Sequence, residues 1–599
     1  MEKAGVVIRN IKLAYKTAWR LSKKVFLLGI IRDVVLANFT AYLGIYLIKK
    51  IVDYITISIK TSNLAFDSTL FLLCALLFLI KGVEAVYIDY ITILQNEMEA
   101  KSSEAMQNEL IKKISQIKME YFEQSDFYNK FHRARSTASH SVLQIFNYTN
   151  LCLSSIVSII IAMPILLNND IWIAFIIAFL SVFHLTWWIK SNDRSYQRTV
   201  IDTPSTRKLG FLSGFFSMKN TIQEIKLNDS ADFLNRKQKD LYSEVKDGQI
   251  KLSSWRLFWE SIIEALDKFG YYSVYLFCAL RAFAGKISVG DLTYVVGVSQ
   301  KLTASVKILT SMLGSLYDVS LMIDNYYYII NCEEERPFKA RSINKIIAKI
   351  EIKNLCFRYP NSETKAVDNV SFSIKSGEKI CIVGHNGAGK TTLIKLILGL
   401  YSNFNGNILY DDINSNDLGN KNIYDMFTVA MQDYCKFPFT VYDNILISDA
   451  EKEKNKDEIV LSAKKTNIHN FISELPKGYE TFLNKEFDEY GTDMSEGQWH
   501  KIVLARALFR CKDILVFDEP SASLDPIAEK EFIDLLFDEY KEKTVIIISH
   551  RLSCCLKADN IIVMESGKIV EQGKHSDLMN IENGLYRKMF AMQAESFKV

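Results

Sequence analysis

Apolar segments long enough to cross a lipid bilayer dominate the first 325 residues of this 599-residue chain. A membrane-spanning helix needs about 20 mostly apolar residues. Six segments meet that length: residues 25–48, 66–92, 143–167, 171–190, 256–284 and 291–322. Only the three residues 168–170 separate the third from the fourth, which predicts a tight helical hairpin. The sequence therefore predicts a transmembrane domain of six helices.

The polar residues around these segments predict how the domain is oriented. Lys16, Arg20, Lys23 and Lys24 precede the first segment, and clustered basic residues mark the cytoplasmic side. The charged stretches near 93–142 and 191–255 have helical periodicity, so we expect helices that continue beyond the bilayer on the cytoplasmic side. Six spans then return the chain to the cytoplasm near residue 325.

Charged residues also occur inside the spans. Arg32 with Asp33, and Lys81 with Glu84, interrupt the first two segments. Polar side chains at such depth normally face the interior of a helix bundle or an aqueous cavity. We expect the same of these four.

Three carboxylates form a stripe on the fifth segment. Glu260, Glu264 and Asp267 stand at i, i+4 and i+7, which places them on one helical face. One interpretation is an acidic wall that attracts a cationic or amphipathic peptide. The other is pairing with basic residues of neighbouring helices, for example Lys301 or Lys307.

Composition narrows the class of protein. The chain is 49% hydrophobic, too apolar for a wholly soluble protein and too polar for a wholly embedded one. The ten cysteines show no zinc-ligand spacing, so we expect reduced thiols. A net charge of +3 gives no indication of a nucleic-acid partner. No removable signal peptide is recognisable at the N-terminus.

A phosphate-binding loop lies where the pattern changes to alternating strands and helices, after about Ile350. The stretch "KICIVGHNGAGKTTLIKLILGL" predicts a strand, a glycine loop and a helix. Glycine backbone N–H groups can surround phosphate oxygens there, and the helix N-terminus adds positive potential. Lys390 can reach the β- and γ-phosphates, and the Thr391 hydroxyl can ligate Mg²⁺.

A carboxylate pair ends a later apolar strand, "ILVFDEP". Asp518 suits a Mg²⁺ ligand, and Glu519 suits a general base for the attacking water. The structural alternative is that the two carboxylates only cap a helix.

The order of the motifs resembles a known family. "AMQDYCKFPFTVYDNI" and "MSEGQWHKIVLARAL" lie between the two motifs above, and "SASLD" and "TVIIISHRL" follow them. This set, over residues 349–590, resembles the ATPase domain of ABC transporters. With six preceding spans the chain resembles an exporter-type half-transporter, most like bacterial lantibiotic and related peptide exporters. The fold implied is a six-helix transmembrane domain over 1–325, a linker over 326–348 and an α/β P-loop ATPase domain over 349–599.

The resemblance implies which residues handle Mg²⁺ and ATP. ATP binding falls to Tyr359, Gly384, His385, Asn386, Gly387, Ala388, Gly389, Lys390, Thr391, Thr392, Ser495, Gly497, Gln498 and Asp525. Within that set Tyr359 stacks on adenine, the signature Ser495 contacts a γ-phosphate held by a second domain, and Asp525 lies at the dimer interface. Catalysis falls to Glu519, His550 and Gln432, and Mg²⁺ binding to Thr391, Gln432 and Asp518.

The signature motif departs from the family pattern. The usual LSGGQ reads Met494-Ser495-Glu496-Gly497-Gln498 here. Glu496 either crowds the γ-phosphate and slows turnover, or points to solvent or to a nearby base such as Lys501 and changes nothing.

The resemblance also implies partners. One chain carries one glycine loop and one signature, which cannot meet within one ATPase domain, so two chains must pair. A homodimer suffices, and a heterodimer is the alternative.

Residues 119–130 and 220–229 fall where the family places helices that dock onto the ATPase domain. About 24 residues precede the first span, so we expect no N-terminal peptidase domain. We expect ATP-driven peptide export across the cytoplasmic membrane, with no nucleic-acid partner. The rival functions are lipid flipping, multidrug export, and an ATP-gated channel or sensor.

Overall fold

The computed structural model describes residues 2–60, 68–138, 141–169, 171–336, 348–450, 456–486, 488–520 and 526–596. By their contacts the residues form two compact units. The first comprises Met1–Ser115 and Ser125–Cys332, and the second Gln116–Gln124 and Glu333–Val599. The domain boundaries inferred from the sequence stay a prediction, since part of the linker lies outside the described residues.

Helices are the only regular secondary structure among the described residues of the first unit. Its helices are Glu2–Leu21, Lys23–Ile30, Ala37–Lys60, Ser68–Ile114, Ser125–Ala138, Ser141–Asn169, Ile171–Phe215, Lys219–Leu227, Ala231–Phe283 and Val289–Ile330. A π-helical stretch, Ile31–Leu36, joins the second to the third.

Five helical stretches among the described residues are long and apolar enough to cross a membrane. They cover the first four predicted spans and the last. The fifth predicted span, 256–284, forms the C-terminal part of the helix Ala231–Phe283 but does not meet the same measure of apolarity. The charges at 256, 260, 264, 267, 268 and 281 account for this. The helix exists where the sequence predicts it, and its composition is more polar than that of its neighbours.

Several helices are far longer than a bilayer is thick. Ser68–Ile114 has 47 residues, Ile171–Phe215 has 45 and Ala231–Phe283 has 53. At about 1.5 Å per residue each is roughly 70 Å or more, against a hydrocarbon core of about 30 Å. These helices have the length that the prediction of extensions beyond the bilayer requires, and their cytoplasmic location stays a prediction.

The charged residues within the first two spans are paired inside the unit. Arg32 Nε lies 2.7 Å from Asp33 Oδ1, and Arg32 Nη1 donates to Gln95 Oε1 at 2.8 Å. Lys81 Nζ lies 2.7 Å from Glu84 Oε2, whose other oxygen accepts from the Thr40 hydroxyl at 2.6 Å. Pairing of this kind lowers the cost of placing charge in lipid.

The second unit is an α/β domain with two sheets. Its strands are β1 Lys349–Phe357, β2 Val367–Lys375, β3 Lys379–Gly384, β4 Asn405–Tyr410, β5 Ile413–Asn414, β6 Phe427–Ala430, β7 Ile514–Asp518, β8 Thr544–Ile548, β9 Asn560–Glu565 and β10 Lys568–Gly573. Its helices are Lys390–Ile397, Asn420–Tyr424, Val441–Leu446, Lys456–Lys465, His469–Glu474, Glu496–Arg510, Pro526–Asp534, His575–Met579 and Leu585–Ser596.

The larger sheet has the order β10-β9-β3-β8-β7-β6, and it is parallel except for β10. β3, β7 and β8 are buried along their whole length, as expected for apolar runs covered on both faces. The carboxyl ends of parallel strands meet at one edge, and ligands bind there in open α/β sheets. β3 ends at Gly384, β7 at Asp518 and β8 at Ile548, so all three predicted motifs reach this edge.

The smaller sheet is antiparallel, with the order β2-β1-β4-β5. One buried apolar cluster joins it to the larger sheet, with Ile352 and Phe372 on one side and Ile382 and Ile548 on the other. The two sheets therefore share a core.

A short segment from between two long helices belongs to the second unit. Met119–Glu123 forms a 3₁₀ turn, and Met119 packs against the core of that unit. Glu120 Oε1 accepts the backbone N–H of Ser402 at 2.9 Å and also the Ser402 hydroxyl. The Tyr401 hydroxyl donates to Glu123 Oε1 at 2.6 Å. The N-terminal part of the predicted docking segment 119–130 thus has specific hydrogen-bond partners.

None of the ten cysteines forms a disulfide, as the sequence predicts for reduced thiols. Three of them, Cys381, Cys554 and Cys555, are buried together with their sulfur atoms within 4.8 Å of one another. They join β3 to the turn Leu552–Lys557, a proximity that their spacing in sequence does not indicate.

Candidate nucleotide-binding site

The loop after β3 requires glycine for steric reasons. Gly389 has φ +95, and a Cβ there would lie 2.3 Å from the carbonyl oxygen of Ala366. At Gly384 a Cβ would lie 2.1 Å from the carbonyl oxygen of Met564. A positive φ and a close backbone neighbour both exclude a side chain. The loop's N–H groups can then form the concave anion-binding surface that phosphate requires.

A cavity of about 440 Å³ lies over this loop. The residues that line it are Ala366, Asn386, Gly387, Ala388, Gly389, Lys390, Thr391, Thr392, Gln432, Glu519 and His550. The three residues that the sequence predicts to be catalytic therefore face the predicted phosphate loop.

Glu519 is held at the centre of this cavity. Gln432 Nε2 donates to Glu519 Oε2 at 3.0 Å, and His550 Nε2 lies 2.6 Å from Glu519 Oε1. The Glu519 backbone has φ +55, and its N–H donates to the Ile548 carbonyl at 2.8 Å. Such a conformation costs a non-glycine residue about 1–3 kcal/mol and is concentrated at functional sites. The strained backbone therefore directs the Glu519 carboxylate into the cavity. This favours a functional role over the alternative that the carboxylate only caps a helix.

Asp518 and Thr391 fit a divalent cation. The Thr391 hydroxyl donates to Asp518 Oδ2 at 3.1 Å, while Oδ1 is buried with no hydrogen-bond partner among the described residues. Burial raises the pKa of Asp518 to about 6. An orphaned carboxylate oxygen beside a hydroxyl is the oxygen donor set that Mg²⁺ prefers, so these residues fit the predicted ion.

Lys390 is held at the mouth of the loop. Its Nζ donates to the carbonyl oxygens of Gly384 at 2.8 Å and His385 at 3.0 Å. Burial lowers the pKa of Lys390. The ammonium group is therefore placed beside the backbone that would surround phosphate.

Tyr359 lies beside the loop but does not line the cavity. Its hydroxyl is 3.1 Å from Thr392 Oγ1, and its ring meets Phe357 and Tyr401 edge to face at 5.0 and 5.4 Å. Its stacking on adenine stays a prediction.

The signature residues lie away from this cavity, at the start of the helix Glu496–Arg510. Ser495 caps that helix, its hydroxyl accepting the N–H of Gln498 at 3.3 Å, while Gln498 Oε1 accepts the N–H of Ser495 at 2.8 Å. A helix N-terminus attracts anions, which suits contact with phosphate on a second chain. Asp525 lies outside the described residues.

The Glu496 side chain pairs with Lys436 and accepts from the Tyr434 hydroxyl at 3.4 Å. The Lys436 ammonium lowers the pKa of Glu496. The expectation that a base engages this carboxylate is confirmed, but the suggested base, Lys501, is wrong. The partner comes from the segment after Gln432, which is distant in sequence.

Two buried residues that the sequence analysis missed bond to backbone carbonyl groups of segments beside the site. Arg506 donates through Nε to the Asn444 carbonyl at 2.6 Å and through Nη1 to the Cys435 carbonyl at 2.9 Å. His500 Nε2 lies 2.8 Å from the carbonyl oxygen of Pro520, which follows Glu519. A basic residue inside the otherwise apolar run "IVLARALF" is the signal that could have found Arg506.

Comparisons with known proteins agree with this geometry. A family model described as "ABC transporter" matches residues 367–522. The subtilin transport ATP-binding protein SpaT of Bacillus subtilis is 31% identical over 80% of this chain and 78% of its own length. The nisin transport ATP-binding protein NisT of Lactococcus lactis subsp. lactis is 26% identical over 84% of each chain. An ATP-dependent lipid A-core flippase of Vibrio cholerae is 28% identical over 60% of this chain and 61% of its own.

The fold of the whole chain is also similar to a solved structure. That structure, of a bacterial Atm1-family ABC exporter with ATP bound, superposes with a TM-score of 0.78. The superposition covers 96% of this chain and 98% of the exporter chain, at 18% sequence identity. The predicted class, a helical transmembrane domain followed by an α/β ATPase domain, is confirmed.

Proposed function

The chain belongs to the ABC transporter family, and we propose that it is a half-transporter that exports a peptide, with or without chemical modification. ATP hydrolysis drives its transport activity, and it is a multi-pass protein of the bacterial cytoplasmic membrane with its ATPase domain in the cytoplasm. We assign residues 1–325 to the transmembrane domain, 326–348 to the linker and 349–599 to the ATPase domain.

The extent of the similarity supports a peptide as substrate. The relatives named for subtilin and nisin transport match 80% and 84% of this chain. The flippases of Vibrio cholerae and Haemophilus influenzae match only 60% and 51% of it. Substrate choice depends on the transmembrane residues, so the longer similarity carries more weight.

The hydrolytic mechanism rests on one observation, that Gln432 and His550 both contact the carboxylate of Glu519. Glu519 accepts a proton from the attacking water, and its bonds to Gln432 and His550 fix the direction of its oxygens. The loop amides and Lys390 bind the phosphates, and charge that develops on the γ-phosphate is stabilised there. His550 lines the same cavity beside Glu519.

Thr391, Gln432 and Asp518 would hold Mg²⁺. The ion, when bound, neutralises charge on the β- and γ-phosphate oxygens. The orphaned oxygen of Asp518 supports this assignment.

A homodimer completes two sites. Ser495, Gly497 and Gln498 lie at a helix N-terminus away from the cavity, so a second copy would bring them to the phosphates. The purified chain alone should therefore form a dimer by light scattering and hydrolyse ATP. A purified chain that stays inactive until a second transporter chain is added would refute the homodimer.

Transport in liposomes tests the substrate. We expect nisin, as a probe peptide, to stimulate ATP hydrolysis and to accumulate in inside-out vesicles of the wild-type chain, with Glu519→Gln as the inactive control. Stimulation by lipid A or a hydrophobic dye, without any by the peptide, would identify a flippase or multidrug exporter instead.

A further inference from the structure

A cavity of about 350 Å³ lies within the first, membrane-spanning unit. Its walls come from the helices Ile171–Phe215, Ala231–Phe283 and Val289–Ile330, and they are mostly apolar and aromatic. The residues with polar groups that line it are His184, Trp187, Trp188, Glu260, Glu264, Asp267, Lys307 and Ser311. The volume falls within the range of small-ligand pockets, enough for one or two residues of an extended chain.

Asp267 is committed to partners inside the protein. It is buried, its Oδ2 lies 2.9 Å from His184 Nε2, and the same oxygen forms an ion pair with Lys307. The suggested pairing of the acidic stripe with Lys307 is thus confirmed for Asp267. Its charge and that of Lys307 offset each other, so neither determines the charge of a ligand.

Three residues that line this cavity each carry a buried polar atom that has no hydrogen-bond partner among the described residues. The atoms are His184 Nδ1, Trp187 Nε1 and Asp267 Oδ1, and each side chain is more than nine-tenths buried. An unpaired buried polar atom costs about 1–3 kcal/mol. Because His184 Nε2 faces a carboxylate oxygen, Nε2 carries the hydrogen and Nδ1 accepts. The set therefore offers two acceptors and one donor.

A peptide backbone complements this set. Each of its amide groups supplies an N–H donor and a carbonyl acceptor. Two N–H groups and one carbonyl, which residues i and i+2 of an extended chain present on one edge, would satisfy the three atoms. An aliphatic chain or a lipid tail supplies none of them.

Two further carboxylates line the cavity. Glu264 has no ion pair or hydrogen bond among the described residues, whereas Glu260 forms a long ion pair with Arg256, whose Nε is 3.8 Å away. The two stand one helical turn apart, on the face that Trp187 and Trp188 also line. Indole faces beside carboxylates form an environment that favours ammonium or guanidinium groups.

We propose that this cavity binds a lysine or arginine residue of the transported peptide. Glu264, assisted by Glu260, pairs with the cation, the two indoles pack along its methylene groups, and the three orphaned atoms bond to the adjoining amides. The proposal rests on the proposed peptide export and names the side chain that the transmembrane unit selects.

Binding of short peptides to the full-length chain in phosphatidylcholine nanodiscs tests the proposal. The probes are acetyl-leucyl-lysyl-leucinamide, its norleucine analogue, which lacks only the ammonium group, and butylammonium, which lacks the amides. Calorimetry should show the lysyl peptide binding at least about tenfold tighter than either, as expected for one partly desolvated charge pair plus hydrogen bonds. Glu264→Gln should reduce the lysyl preference to less than about threefold, and Glu264→Asp should retain most of it.

Glu244→Gln is the matched control. Glu244 lies on the same helix, is exposed and does not line the cavity, so its loss should leave the preference unchanged. Equal affinities for the lysyl and norleucyl peptides, or a preference that survives Glu264→Gln, would overturn the proposal. Butylammonium binding as tightly as the lysyl peptide would overturn the role of the amides.

These results are separable from the test of the proposed function. Nisin transport without a lysyl preference would refute the cavity's role and leave peptide export standing. A lysyl preference that depends on Glu264, without transport of any peptide, would support the cavity's role and refute peptide export.

Discussion

Replacing Arg506 by methionine should destabilise the nucleotide-binding unit more than any exposed substitution on the same helix. The guanidinium is buried, which lowers its pKa to about 10, and it lies 5.3 Å from the centroid of the Phe437 ring. It donates to the carbonyl oxygens of Asn444 and Cys435 and to the side-chain oxygen of Asn444. Methionine keeps much of the apolar stem and removes all three hydrogen bonds.

The size of the effect follows from the atoms left behind. Three acceptors lose their donor at a cost of about 1–3 kcal/mol each, while removal of a buried charge recovers part of that. We expect a net loss of about 3–5 kcal/mol. For a unit of this size one kcal/mol lowers Tm by about 2–4 °C, so Tm should fall by about 6–20 °C.

Differential scanning calorimetry of the full-length chain in nanodiscs measures this change. The transition of the nucleotide-binding unit is identified by its rise on addition of ATP, since a ligand of the folded state stabilises it. Lys501→Met is the matched control, because Lys501 lies on the same helix and has no ion pair or hydrogen bond among the described residues. If Arg506→Met lowered Tm no more than Lys501→Met does, the buried bonds would not be what stabilises this helix.

Three further substitutions test the site itself. Glu519→Gln should leave ATP binding intact and lower hydrolysis about 10²–10⁴-fold, because an amide cannot accept the proton of water; a wild-type rate of phosphate release would remove Glu519 as the base. Glu496→Gly should change ATP turnover less than about twofold, because the carboxylate faces Lys436, and a several-fold rise would show that it crowds the γ-phosphate. Gly389→Ala should abolish binding of a fluorescent ATP analogue, because its methyl group would meet the Ala366 carbonyl; unchanged affinity would contradict the steric argument.

The sequence predicted those features that depend on local patterns. Apolar runs of about 20 residues predict helices because lipid leaves the backbone few alternatives. The glycine loop and the aspartate–glutamate pair each follow a strand, as predicted, and the structure brings the two strand ends to one edge of the parallel sheet. The fifth predicted span is also a helix, although its charged residues make it less apolar than a typical membrane-spanning helix.

Long-range pairing was the part that sequence could not supply. Glu496 has several basic residues within reach along the chain, and the one it pairs with, Lys436, comes from 60 residues earlier. Asp267 has Lys301 and Lys307 as candidates on a later helix, and only packing selects Lys307. The bonds of Arg506 to backbone carbonyls leave no sequence signal at the acceptor positions, since every residue has a carbonyl.

The nucleotide-binding unit cannot be excised with a single cut, because Gln116–Gln124 belongs to it and is separated from the rest by more than two hundred residues. A fragment that begins at Glu333 would leave the Ser402 amide and the Tyr401 hydroxyl without their acceptors and would expose the apolar surface against which Met119 packs. Biophysical work on such a fragment would therefore describe an incomplete unit with a newly exposed apolar surface that favours aggregation. Supplying residues 116–124 as a separate synthetic peptide would restore what truncation removes.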